Sequence, residues 1–281
     1  MKQFQYLIVM ALFVLSLMAV EKSYAATFTV TNTNDSGAGS LRQAVRDANV
    51  NNQEDTIVFD TAVFSSPQTI VLTTGQLTIL PDNSSGNTKT LTIKGAGANL
   101  LTISGNNQSR VITIERNANV IISSLKITNG NGVGGTDYGG NETSGPGGAI
   151  MVYPGEGLIL KDSIISENKA SRGGGLFLAG TTTIINTTIS DNSADFGGGV
   201  SISGSNVNII NSTVSNNTSF YPGGGFTVYY RCRVYLTNST IAFNKTESAF
   251  GGGIYNLEAD YSDSETVKFF RTQNSRCSLY F

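Results

Sequence analysis

The stretch GGGLFLAGTTTIINTTISDNSADF, Gly173–Phe196, is followed at once by GGGVSISGSNVNIINSTVSNNTSFYP, Gly197–Pro222, and the second nearly repeats the first. Each opens on three glycines and alternates apolar with polar residues. It then bends through small polar residues, alternates again and reaches an asparagine. Related glycine clusters start at Gly147, Gly173, Gly197, Gly223 and Gly251, at spacings of 26, 24, 26 and 28 residues. Self-similarity at that period marks a stack of coils rather than a small globular core.

Laying the segments 147–172, 173–196, 197–222 and 223–250 on one another gives columns. Ile150 and Val152 fall with Leu176 and Leu178, Val200 and Ile202, and Phe226 and Val228. Counting back from Asn168, Asn192, Asn217 and Asn244, an apolar residue stands three positions earlier (Ile165, Ile189, Val214, Ile241) and another eight earlier (Leu160, Ile184, Ile209, Leu236). Six earlier stand Asp162, Asn186, Asn211 and Asn238. Apolar columns with polar residues between them are strands with one face buried. At ~3.3 Å per residue, such a coil has room for about three short strands and three turns. It cannot bury its own apolar face; stacked, equivalent strands pair at ~4.8 Å around an aliphatic core. The sequence therefore predicts an all-β chain, a single-stranded right-handed parallel β-helix. The hand follows from the general preference of parallel connections. Glycine at the cluster suits a bend with positive φ or a close approach of neighbouring coils. The in-register asparagines are placed to hydrogen-bond along their row.

Upstream, TFTVTNTN, Thr27–Asn34, alternates as a strand, and Ser40 is an N-cap for LRQAVRDAN, Leu41–Asn49. Leu41, Ala44, Val45 and Ala48 recur at helical spacing, with Arg42 and Arg46 read as facing elsewhere. A terminal coil exposes its interior, so this short helix is expected to cap the stack; a functional cluster of Arg42, Arg46 and Asp47 is the alternative. RVITIERNANVIISSLKITNG, Arg110–Gly130, reads as one coil with Val111 and Thr113 opening it. The glycine-rich segment 130–146 is expected to loop out. The expected organisation is a signal peptide at 1–25, a strand and capping helix at 26–55, β-helix at 56–256 with clean coils from 147, and a divergent or truncated end at 257–281.

Lys2, the apolar run Leu7–Val20 and the small residues before Ala26 read as a cleaved secretory signal. That run is 14 residues, short of the roughly 20 a spanning helix needs. Without residues 1–25, 16 basic residues face 19 acidic ones. That balance, without a basic stripe, points away from nucleic acid. Cys232 and Cys277 make no disulfide framework. Sequons such as Asn186-Thr-Thr and Asn211-Ser-Thr lie in the asparagine columns and are read as structure before glycosylation.

Thr27–Asn49, with Gly39-Ser40-Leu41-Arg42-Gln43-Ala44, resembles the CSLREA-type amino-terminal signature of exported bacterial β-helix proteins. It departs at Gly39, where the signature has Cys, and at Gln43, where it has Glu. The remainder resembles the pectin-lyase-like superfamily, and Gly147-Gly148-Ala149-Ile150 is similar to the GGAI element of chlamydial polymorphic outer-membrane proteins. These resemblances imply a secreted or cell-surface protein (periplasmic or outer-envelope in a Gram-negative cell), with some members adhesins.

Several enzymes of that superfamily act on acidic polysaccharides, and the resemblance implies bases, paired carboxylates or a bound cation as their devices. There is no His to serve as base or metal ligand. Paired carboxylates about 5–9 Å apart would serve hydrolysis. The candidates are Glu167 and Asp191, level with each other on adjacent coils; with Asp195 they are also the candidates for Ca²⁺, the one cofactor considered. The competing reading is of solvated turn residues. Asp162 is read as a substitute in its asparagine column, and Lys161, Lys169 and Arg172 as lacking a coordinated pattern. Phe196, Phe220, Tyr221 and Phe250 precede glycine clusters and form an expected aromatic edge, with Tyr229, Tyr230 and Tyr235 towards the same end. It suits sugar rings, a partner protein, or simply the stability of the turn. The function expected is a monomeric structural or adhesive module that binds a polysaccharide or an envelope or host protein. A polysaccharide lyase is the alternative.

Overall fold

In the computed structural model, residues 25–50, 53–81, 89–132, 145–155, 157–229, 231–247, 251–256 and 266–270 are described. The expected signal segment, Phe250, Tyr230, Cys277, residues 133–144 of the looped segment and most of 257–281 lie outside them. The chain is a right-handed parallel β-helix of about eight turns, as the columns predict. Three parallel sheets run along it, one of nine strands and two of seven.

The columns are the register. Ile150 pairs with Leu176, Leu176 with Val200, and Val200 with Phe226 in one seven-stranded sheet. Leu160, Ile184, Ile209 and Leu236 follow one another in the nine-stranded sheet. Ile165, Ile189, Val214 and Ile241 do so in the other seven-stranded sheet. These residues are at most 6 % exposed and form one continuous core. Each contributes about 1.5–3 kcal/mol by leaving water. In the coil that opens at Arg110 the register differs by one from the sequence reading. Ile112 and Ile114, not Val111 and Thr113, pair with Ile150 and Val152. Thr113 instead faces Arg110, whose Nη1 donates to its hydroxyl at 3.0 Å.

A fourth strand per coil was not foreseen. Lys169–Arg172, Ser193–Phe196, Thr218–Ser219 and Lys245–Thr246 form a short parallel sheet of their own. It lies between the asparagine turn and the glycine cluster, and its residues alternate too weakly to show a buried face. The nine-stranded sheet also continues past 256: Thr266–Phe270 pairs with Arg233–Thr237.

The glycine triplet Gly197-Gly198-Gly199 shows why no other residue serves. Gly197 has φ +62°, a left-handed conformation. A Cβ on Gly198 would lie 2.3 Å from the Thr218 carbonyl oxygen, and one on Gly199 would lie 3.0 Å from the amide nitrogen of Asn217. The three positions thus meet a turn, the next coil's backbone and the asparagine row in succession.

That row is a buried ladder. Asn168, Asn192 and Asn217 each donate from Nδ2 to the Oδ1 of the next asparagine, ending at Asn244, at 2.9 Å throughout. Their backbone N–H groups donate to the same oxygens at 3.0 Å. The column six residues earlier is left-handed, with φ between 48° and 51° at Asp162, Asn186, Asn211 and Asn238. Asn186 Nδ2 donates to Asp162 Oδ1 at 3.0 Å, so Asp162 stands in for an amide there.

At the amino end, Thr27–Val30 pairs with Thr56–Phe59, and the helix Leu41–Val50 packs Leu41, Ala44, Val45 and Ala48 into the core. Gln43 N–H donates to the Ser40 hydroxyl, the expected cap. Arg42 does not face away. It is 7 % exposed, meets Asp35 at 2.6 Å and donates to the Gly75 and Gln76 carbonyls. Asp35 also accepts from the N–H and hydroxyl groups of Thr73 and Thr74. Burial works to raise the Asp35 carboxyl, but the bonds from Thr74 and Arg42, the Arg42 charge and Thr73 outweigh it and hold it at about 2. Gly39 has φ +74°, and a Cβ there would meet the Thr31 hydroxyl. A cysteine at this position would therefore require this turn to be rebuilt.

Candidate functional site

The asparagine turns decide where Glu167 and Asp191 go. Each precedes its ladder asparagine in a left-handed conformation, with φ 60° and 58°. Ser166 and Ser190, just before them, are paired in register. The two carboxylates therefore sit on adjacent rungs of one corner, and both are exposed. Glu167 meets the Lys126 ammonium at 3.4 Å, an exposed pair of the kind worth little. Asp195 is exposed on the fourth strand, beyond the ladder. Among the described residues no group of three or more His, Cys, Asp or Glu is placed to hold a metal ion. Lys161 and Lys169 lie in different sheets, and Arg172 rests 5.5 Å over the Phe177 ring. The structure does not bring these basic groups together.

The aromatic residues do converge. Phe196 ends a fourth strand, and Tyr221 N–H donates to the Asp195 carbonyl at 2.8 Å, placing the two rings on adjacent coils. Their centroids are 4.6 Å apart with planes inclined at 15°. Phe220 meets Tyr221 edge-on at 4.9 Å and 87°. Phe220 is 53 % and Tyr221 45 % exposed, so ring surface faces solvent. Of the other tyrosines, Tyr229 is half-buried at the end of the glycine-side strand. Burial raises its hydroxyl pKa, with Arg172 opposing. Tyr235 lies in the nine-stranded sheet, not with the aromatic ledge that Phe196, Phe220 and Tyr221 form.

Behind the ledge, the outward residues of the glycine-side sheet are buried as well. Met151, Phe177 and Ala179 form a second small apolar cluster with Tyr153 against it. Arg110 is buried nearby and donates to the Pro146 and Gly147 carbonyls. Burial lowers its pKa to about 10, opposed by Tyr153 and Glu115. It thus ties down Pro146 and Gly147, and beside them the Gly145 N–H donates to the Gly132 carbonyl.

At the opposite end of the same three-residue strands is a groove of about 290 Å³, which the sequence reading missed. Its walls include Gly155, Thr181, Gly204 and Ser205, with Arg231 and Arg233 at one end. The sequence carries a signal for it. Asn206 pairs with Arg233, so counting back two puts Arg231 in the column of Gly204. A basic residue there breaks a run of small turn residues.

The description "right handed beta helix region" matches residues 70–266. The crystal structure of Jun a 1, the major allergen from cedar pollen, is similar with a TM-score of 0.43 and 16 % identity, over 86 % of this chain and 82 % of that one. No curated protein matches the sequence.

Proposed function

We propose a carbohydrate-binding role for this chain, which belongs to the family of right-handed β-helix regions: a rigid structural or adhesive module, secreted or displayed at a cell surface. One observation carries the reading. The Phe196–Tyr221 stack, with Phe220 across its edge, offers exposed aromatic faces on a sheet framework. Such faces bury the apolar side of a sugar ring at little cost in side-chain freedom. The carboxylates Glu167 and Asp191 are exposed turn residues, which favours a solvated role over an acid/base pair. The export signal read in the sequence supports the location.

The test is binding and turnover on one panel of pectate, alginate, glycosaminoglycans and neutral glucans, with and without Ca²⁺. Retention of the full chain, lost in Phe220→Ala/Tyr221→Ala, is the expected result. Release of unsaturated products would overturn it in favour of a lyase and send the search to Glu167 and Asp191.

A further inference from the structure

We propose that the corner groove ending at Arg231 and Arg233 is a second glycan subsite, one that takes the carboxylate or sulfate groups of an acidic polysaccharide. The proposal deepens the carbohydrate-binding reading and rests on it. Three observations meet at the groove. Its volume is about 290 Å³, and its walls are small or polar residues rather than an apolar lining. Both arginines are exposed, and among the described residues neither guanidinium has a hydrogen-bond or ion-pair partner. Arg231 occupies, at φ 60°, the left-handed corner that Gly204 fills at φ 65° one coil earlier. A side chain with a Cβ is disfavoured by that conformation, and at Gly204 a Cβ would meet nothing within 4 Å.

Guanidinium groups match carboxylate and sulfate oxygens through paired N–H donors, and two of them, Arg231 at the corner and Arg233 at the start of the strand that follows, favour repeated charge over a single ion. The groove and the aromatic ledge stand at the two ends of the same strand, Phe226–Val228, with Phe220 and Tyr221 before it and Arg231 and Arg233 after it. The three-residue strand alone spans on the order of 10 Å and the residues flanking it add to that, so it is a saccharide of several units that would meet a ring at one end and a guanidinium at the other. The whole chain has a net charge of −2. Attraction to a polyanion must therefore be local, not a property of the overall charge.

The test compares retention of the full chain on immobilised polygalacturonate, dextran sulfate and neutral glucans, at low and moderate salt. The variant is Arg231→Gly/Arg233→Gln. Its glycine restores what the preceding coil carries, and its melting temperature is checked against the parent. The expected result is tighter, salt-sensitive binding to at least one acidic chain, weakened about tenfold in the variant at unchanged melting temperature. Retention on neutral glucan should be unaltered. Polygalacturonate against dextran sulfate tells carboxylate from sulfate. Acidic chains held no better than neutral ones, or held equally by the variant, would overturn the subsite while leaving the ledge intact. Loss of retention on every polysaccharide would overturn both.

Discussion

From Asn168 to Asn244 one amide contact is made again in every coil, whereas the amino-terminal end is held by contacts that single residues make. Asp35 alone gathers Arg42, Thr73 and Thr74, and Asn49 alone ties the capping helix to Thr78 and Leu80. The repeated region must satisfy the same buried turn in each coil, so one solution is copied. The end must satisfy an interior that has no further coil beside it, so its solution is unique. Repetition spreads the cost of a lost contact to two neighbours; a unique contact has nothing to share it.

The comparison can be broken most directly at Asn192. Asn192→Ala removes the acceptor of two buried Asn168 donors and should cost about 3–4 kcal/mol. Amide exchange should rise in coils 147–222 and stay unchanged at residues 26–60. Gly198→Ala should follow at about 2–3 kcal/mol, because its Cβ would press on the Thr218 carbonyl. A lower urea midpoint checks it. At the other end, Asp35→Asn should cost about 1–2 kcal/mol, with exchange rising in the capping helix and not in the ladder coils.

That last substitution also sharpens the comparison through pH. The Asp35 carboxyl is held at about 2, below its ordinary 3.8. Its contribution is therefore complete above pH ~4 and is lost as pH falls from there towards 2. Melting temperatures of the parent should fall across that window by more than those of Asp35→Asn. The smallest expected effect on stability is at the ledge. Phe220→Ala/Tyr221→Ala, which removes two partly exposed ring contacts, should change stability by about 1 kcal/mol while abolishing glycan retention.

What could be read from the sequence divides along the same line. The columns of Ile165, Ile189, Val214 and Ile241 and the asparagine row showed themselves because they recur. The position of Arg42 did not. Helical spacing placed it off the apolar face, and only the folded approach of Gly75 and Gln76 makes a buried guanidinium favourable. The fourth strand was hidden for another reason. Segments such as Ser193–Phe196 carry little apolar alternation, and none of the four residues there is fully buried. Of the site, Phe196, Phe220 and Tyr221 were legible from their place before the glycines. The groove was not, because small turn residues acquire a shape only when coils are stacked.

The asparagine ladder has a direction. The backbone N–H and one amide N–H of Asn168, Asn192 and Asn217 reach forward to the side-chain oxygen of the next asparagine, while the amide also donates back to the carbonyl of Ile127, Ile165 or Ile189 in the preceding coil. The hydroxyl row beside it does the same, with Thr187 N–H donating to Ser212 and Ser212 N–H to Ser239. The donors on the carboxy-terminal side of each coil are thus satisfied only by the coil that follows it. The ladder is therefore polar: the carboxy-terminal face of a rung offers two donors, and the amino-terminal face of the next offers one oxygen that accepts twice.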